Sequence, residues 1–180
     1  LVIPSDKQIS HIIGLSLSRA IESLLPEIDD HLVQKISDNY RAHFFADTSE
    51  GSSLFDGAAD IIRDLHADGY YLAVATGKGR KGLDNALLST GLEPYFHITR
   101  CADETRSKPD PQMLSEILTD LNLTASDAVM VGDTSYDMDM AKNIKMDSIA
   151  VTYGVHDKQQ LEHCEPTYFI DTIDQLTHYV

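Results

Sequence analysis

Three short stretches of this chain bring together residue types that could do chemistry. Thr76-Gly77-Lys78-Gly79 follows an apolar run and offers a hydroxyl, a lysine and two glycines whose backbone N–H groups can come close to an anion. The pattern fits an anion cradle, and it fits a plain tight turn. Gly132-Asp133-Thr134-Ser135-Tyr136-Asp137 sets two carboxylates four residues apart on one side of a starting helical turn. The first suits ligation of a hard divalent cation, for which Mg²⁺ is the natural candidate, and the second suits buttressing it. On the competing reading, Asp133 merely caps a helix and Asp137 is a solvated acid. Asp139 continues the acidic run but faces away at helical spacing, as a surface charge. Between these stretches lies Ser107-Lys108-Pro109-Asp110-Pro111, a lysine stiffened by prolines just ahead of a helix. Such a lysine can neutralise a phosphate and keep a nearby carboxylate ionised, or it can be an ordinary surface lysine. The combination favours chemistry, because Thr76, Lys108, Asp133 and Asp137 all fall where strands or loops end.

The elements that must hold these residues read as an α/β chain. From Pro4 to about Asp47 the signals are helical. Ser5-Asp6-Lys7-Gln8 has the form of a capping box, Gly14 breaks the pattern, and the segment from Ser16 to Leu25 resumes it. Leu32, Val33, Ile36, Tyr40 and Phe44 then recur at helical spacing. A polar stretch at 49–54 reads as a linker. Beyond it, helices alternate with short apolar runs: a helix capped by Asp56, strands at 70–75, 96–101, 128–131 and 148–151, and helices at 81–88 and after Asp110-Pro111. Runs that apolar do not lie half exposed, so they predict a parallel sheet covered on both faces. In such a sheet ligands bind beyond the carboxyl ends of the strands, where the three stretches fall.

Composition narrows the function further. The 180 residues are 42% hydrophobic and carry a formal net charge of −15. That is enough apolar material for a sizeable core, and the charge repels polyanions, which argues against nucleic acid as a partner. No apolar stretch approaches the length of a membrane span, and no leader pattern opens the sequence. Two cysteines without a C-x-x-C unit fit a reducing compartment, so the expected location is the cytoplasm. His156, His163 and Cys164 show no ligand spacing, and exposed or locally hydrogen-bonded histidines are expected there. Tyr153-Gly154 needs no more than a turn.

Strand-Thr76-Gly77, then Lys108-Pro109, then Gly132-Asp133-x-x-x-Asp137 resembles the second, third and fourth motifs of the haloacid dehalogenase superfamily, in its phosphoglycolate-phosphatase-like branch. The resemblance spans most of the chain. It implies a Rossmann-like core over 55–180, a linker at 49–54, and a small α-helical cap over 1–48 that is incomplete at its N-terminal end. It also implies a Mg²⁺-dependent phosphomonoester hydrolase of a small phosphorylated metabolite, working through an aspartyl-phosphate. Thr76 and the Gly77 N–H would hold phosphoryl oxygens, with Lys78 alongside, and Lys108 would steady nucleophile and phosphate. Asp133 would bind Mg²⁺ with Asp137 in support, and Arg19 of the cap would meet the leaving group.

The family's first motif, a strand-borne Asp-x-Asp, has no counterpart in these residues. Asp29-Asp30 and Asp137-Met138-Asp139 do not follow apolar strands in the required place. The expectation is that nucleophile and first core strand lie upstream of Leu1. Without that central strand, the 180 residues alone should be unstable or prone to aggregate. Because the acids look built for a metal, a dehalogenase is disfavoured. A phosphomutase stays open, as does a non-catalytic binding or regulatory role. A monomer or weak homodimer is expected.

Overall fold

The computed structural model describes residues 3–46 and 53–180. Residues 49–52 of the expected linker lie outside this range. The N-terminal unit is helical, as its capping signals require. Helix α1 (Asp6–Ile12) opens on the capping box, in which Ser5 Oγ accepts the Gln8 N–H and Gln8 Oε1 accepts the Ser5 N–H. Gly14, at φ +107°, turns the chain, and α2 (Leu17–Leu24) restarts behind the N-cap Ser16. Helix α3 (Asp30–Ala46) begins where Asp29 accepts the Leu32 N–H at 2.8 Å. Its apolar stripe is only partly buried. Val33 packs inward, but Tyr40 and Phe44 lie exposed and stack on each other with ring centroids 5.9 Å apart.

The remainder alternates strands and helices: α4 (Ala58–Ala67), β1 (Ala73–Thr76), α5 (Arg80–Thr90), β2 (Ile98–Cys101), α6 (Gln112–Leu121), β3 (Val129–Gly132), α7 (Ser135–Asn143), β4 (Asp147–Val151), α8 (Lys158–Glu162) and β5 (Tyr168–Ile170). Every pairing is parallel. Side chains alternate between two packed faces. Val129, Val131, Ile149 and Val151 meet Ile61 and Leu65 of α4 on one face. On the other, Ala75 and Met130 meet Met113, Leu114 and Leu118 of α6 and Met140 of α7.

Two expectations need correction, and one strand was not expected at all. The N-cap of α4 is Gly57, not Asp56, and it takes a φ of +78° that few side chains tolerate. The first strand is shorter than the apolar run, because Tyr70 and Tyr71 stay exposed. Strand β5 had no sequence signal, being three residues long and following Pro166.

The sheet, moreover, is in two pieces, β1-β2 and β3-β4-β5. Between β1 and β3 lies a cavity of about 690 Å³, lined by 72–75 and 128–131 with Leu65, Leu114 and Leu118 among the residues that close it. Among the described residues, neither facing edge has a strand partner. Helices α4 and α6 bridge the slot from its two faces.

Such an apolar slot between unpaired edges should behave as exposed core. The 180-residue chain by itself is expected to enhance the fluorescence of a hydrophobic dye and to self-associate as its concentration rises. Monodisperse light scattering with no dye binding would show that the slot closes unaided.

Candidate active site

Just beyond the carboxyl end of β3, the sequence packs two opposite charges into the interior. Thr134 is the N-cap of α7 and Asp137 its third residue, so the two form a reciprocal capping box. Asp137 Oδ2 accepts the Thr134 hydroxyl at 2.7 Å and the Thr134 N–H at 3.1 Å. That leaves Oδ1 for Lys108, whose Nζ donates to it at 2.6 Å. The two side chains are only 6% and 5% exposed. Both oxygens of Asp137 are thus held by the protein. Room for it comes from Gly132, where an added Cβ would stand 2.4 Å from Asp137 Cβ.

Asp133 sits at the mouth. Its Oδ2 accepts the Val155 N–H at 2.9 Å, its carbonyl accepts the His156 N–H at 3.2 Å, and among the described residues Oδ1 accepts nothing. Gly154 permits this fit, since a Cβ there would lie 2.1 Å from Asp133 Cβ. His156 is 2% exposed, and burial pushes its pKa down, so the ring is held neutral. Its Nδ1 accepts the Ser135 N–H at 3.0 Å, which leaves the proton on Nε2, 3.3 Å from the His11 carbonyl. The expectation of an exposed or locally hydrogen-bonded histidine is corrected for His156, whose ring is buried and bonds to residues far from it in sequence, behind Asp133. Sequence reasoning also missed that Gly154 is a close approach as well as a turn, because neither contact is visible in local spacing.

The helical unit presses onto this rim. Tyr136 donates its hydroxyl to the His11 carbonyl at 2.9 Å, and Ser107 Oγ accepts the Ser16 N–H at 2.8 Å. Gly14 lies between the two halves of the core. Its own position would bring a Cβ to 3.0 Å from Thr134 Oγ1, while its carbonyl oxygen stands 2.6 Å from where a Cβ on Gly77 would be. Gly77 on one half and the Asp133-Thr134 turn on the other thus flank the backbone of Gly14 and Leu15, while Thr76, the last residue of β1, accepts the Lys78 N–H on its Oγ1 at 3.1 Å.

Two expected residues are not brought there. Lys78 carries its ammonium 5.7 Å from the centroid of the Phe44 ring, in a cation–π contact with α3. The first N–H of α5, that of Arg80, is taken by the Asp103 carboxylate at 2.9 Å, so the Gly-rich turn is tied to its own core. Arg80 also forks onto Glu104, whose hydrogen bond with it holds that carboxyl below its usual range. Arg19 pairs with Glu22 on the surface of α2 and lines a cleft beside Lys108.

Among the described residues no three His, Cys, Asp or Glu side chains converge as a ready-made metal cage. Asp133, with one carboxylate oxygen that accepts no hydrogen bond among the described residues, is the side chain that would hold a Mg²⁺, a hard cation suited to carboxylate oxygen.

A family model of haloacid dehalogenase-like hydrolases matches residues 1–151. A protein from Dickeya dadantii named probable phosphatase IndB is 33% identical over 168 residues, 91% of this chain and 73% of that protein. A phosphoglycolate phosphatase from Vibrio vulnificus is 26% identical over 94% of this chain and 74% of its own length. Among solved structures, a hydrolase from Pseudomonas syringae superposes with a TM-score of 0.86 at 20% identity, covering 99% of this chain and 84% of that one.

Removing one partner of a buried ion pair strands the other. Lys108→Met should destabilise the protein by about 3–5 kcal/mol in urea denaturation, and Lys108→Met combined with Asp137→Leu should cost less than the sum of the two single changes. Gly154→Ala, which adds one methyl group against Asp133, should cost roughly 1–3 kcal/mol in the same measurement.

Proposed function

Because the chain belongs to the haloacid dehalogenase-like hydrolases, we propose that it forms the cap and most of the core of a Mg²⁺-dependent phosphatase acting on a small phosphorylated metabolite. The observation that supports this reading is the Asp133 carboxylate just beyond the end of β3, with the buried Lys108–Asp137 pair beside it. A phosphate dianion is repelled by clustered acids unless positive charge offsets them. Lys108 supplies part of that charge, and Mg²⁺, held by Asp133, would supply the rest and polarise the phosphoryl oxygens.

In this reading the nucleophile is an aspartate on a strand seated between β1 and β3, upstream of Leu1 in the chain. The slot has the right lining for such a strand, and a parallel strand there would end at the same mouth. One aspartate oxygen bonds to phosphorus as the ester oxygen departs with a proton, and water later hydrolyses the aspartyl-phosphate to free phosphate. Thr76 Oγ and the Gly77 N–H orient the phosphoryl oxygens. For the phosphate to reach Gly77, the Gly14-Leu15 backbone must draw back, so closure of the helical unit follows substrate entry and then excludes water. Two unpaired, buried cysteines support a reducing, cytoplasmic setting. Among the described residues no helix is long and apolar enough to cross a membrane.

The test is hydrolysis of a generic aryl phosphate by the full-length gene product and by the 180-residue chain, each with and without Mg²⁺. Turnover is expected only in the longer protein with Mg²⁺ present, and Asp133→Ala should lower kcat by about 100-fold or more. Lack of turnover in either protein would point to a binding or regulatory role.

A further inference from the structure

One turn grips Asp133 at two points, and a buried ring pins that turn. The Val155 N–H donates to Asp133 Oδ2 at 2.9 Å, and the His156 N–H donates to the Asp133 carbonyl at 3.2 Å. We propose that His156 is a positioning residue that couples the seating of the helical unit on the core to the orientation of the Asp133 carboxylate. As far as it concerns a metal, this deepens the phosphatase reading and rests on it.

The ring of His156 makes one hydrogen bond to each side. Toward the core, Nδ1 accepts the Ser135 N–H at 3.0 Å. That amide is the first of α7, and Thr134 does not serve it, because the Thr134 hydroxyl takes the Asp137 N–H. Toward the helical unit, Nε2 faces the His11 carbonyl at 3.3 Å, one of the acceptors that the last turn of α1 leaves unused. Tyr136 donates its hydroxyl to the same carbonyl at 2.9 Å. The His11 ring lies over the His156 ring, with centroids 5.5 Å apart and planes 12° from parallel. The core also holds that upper ring. Gln160 Oε1 is taken by the Asp157 N–H at 3.0 Å, which aims Gln160 Nε2 at His11 Nδ1, 3.3 Å away.

These contacts make the place of the ring conditional on the helical unit. His156 is buried, and when α1 lifts, its Nε2–H loses its acceptor and the ring loses its cover. A buried donor without a partner is costly, so the ring turns toward water. That turn shifts the amides of 155 and 156, on which the carboxylate of Asp133 depends. The seated unit therefore presents an aligned carboxylate, and the lifted unit a slack one. By reciprocity, seating and Mg²⁺ affinity rise together.

Two readouts on the full-length gene product test the coupling. One is the Mg²⁺ dissociation constant from calorimetry without substrate, and the other is the exchange rate of the Val155 amide, followed by NMR in metal-free protein. His11 is exposed, so His11→Ala removes the stacked ring with little threat to the fold. It should weaken Mg²⁺ binding about fivefold and speed Val155 exchange by a similar factor. His156→Asn keeps an acceptor for the Ser135 N–H but falls short of His11, and should weaken Mg²⁺ binding about tenfold or more. In that background His11→Ala should change neither readout further. His156→Gln, which returns an N–H to about the place of Nε2, should restore the response to His11→Ala. A His156 that only fills space gives effects that multiply independently in the double variant, and that result would overturn the coupling. Val155 exchange indifferent to His11→Ala in the otherwise unchanged protein would overturn it too. Aryl phosphate turnover and its Mg²⁺ requirement judge the phosphatase reading separately, because the exchange measurement needs neither metal nor substrate.

Discussion

The rim of this molecule depends on one buried ion pair. Lys108 comes from the loop after β2 and Asp137 from the first turn of α7, and their 2.6 Å contact is the bond by which the half of the core built on β1 and β2 grips the half built on β3, β4 and β5 at the working end. Elsewhere the halves are joined by a hydrogen bond from Asn143 Nδ2 to the Pro109 carbonyl at 3.0 Å and by apolar packing of α4 and α6, which is strong but tolerant of sliding. A charge-assisted hydrogen bond between nearly unexposed groups has a short range and a fixed direction. It therefore sets the separation of the two strand ends, which bulk hydrophobic contact does not.

From that bond the rest of the site follows by short covalent steps. Asp137 is fixed because Thr134 caps the same helix, and Thr134 is fixed because α7 starts directly after β3. Asp133 is thus one residue from an anchored cap on one side and one residue from a sheet strand on the other. Its remaining freedom is taken up by the 154–156 turn, through the Val155 and His156 amides. The helical unit reads this arrangement from outside by way of Tyr136 and Ser107, the neighbours in sequence of Asp137 and Lys108.

How much of this could be read from the chain depended on whether the cause was local. Ser5 and Gln8 write their own capping box, and Val129-Met130-Val131 followed by Gly-Asp writes a buried strand meeting a loop, so α1, β3 and the positions of Asp133 and Asp137 were legible. The Lys108-Pro109 segment was legible as a chemical candidate, whereas its partner was not, because 29 residues separate Lys108 from Asp137. His156 and Gly154 escaped for the same reason: what defines them is proximity to a residue some twenty positions earlier. Lys78 misled because a glycine-flanked lysine after a strand suits an anion, and nothing nearby announces that Phe44, far upstream, will take its charge. The division of the sheet was foreseeable only as a missing partner, since a strand's own residues do not say which edge will be left open.

Gly77, Gly132 and Gly154 carry no functional group, yet each has a site residue or the overlying backbone within about 3 Å of where a side chain would start. Sites are usually expected to be intolerant of change at the residues that act and lenient at those that only fill space. Here that expectation fails in part: these hydrogens in place of methyl groups have no replacement that keeps the geometry. The sequence paths open to this protein as it diverges are therefore narrowest at three positions where there is nothing to see.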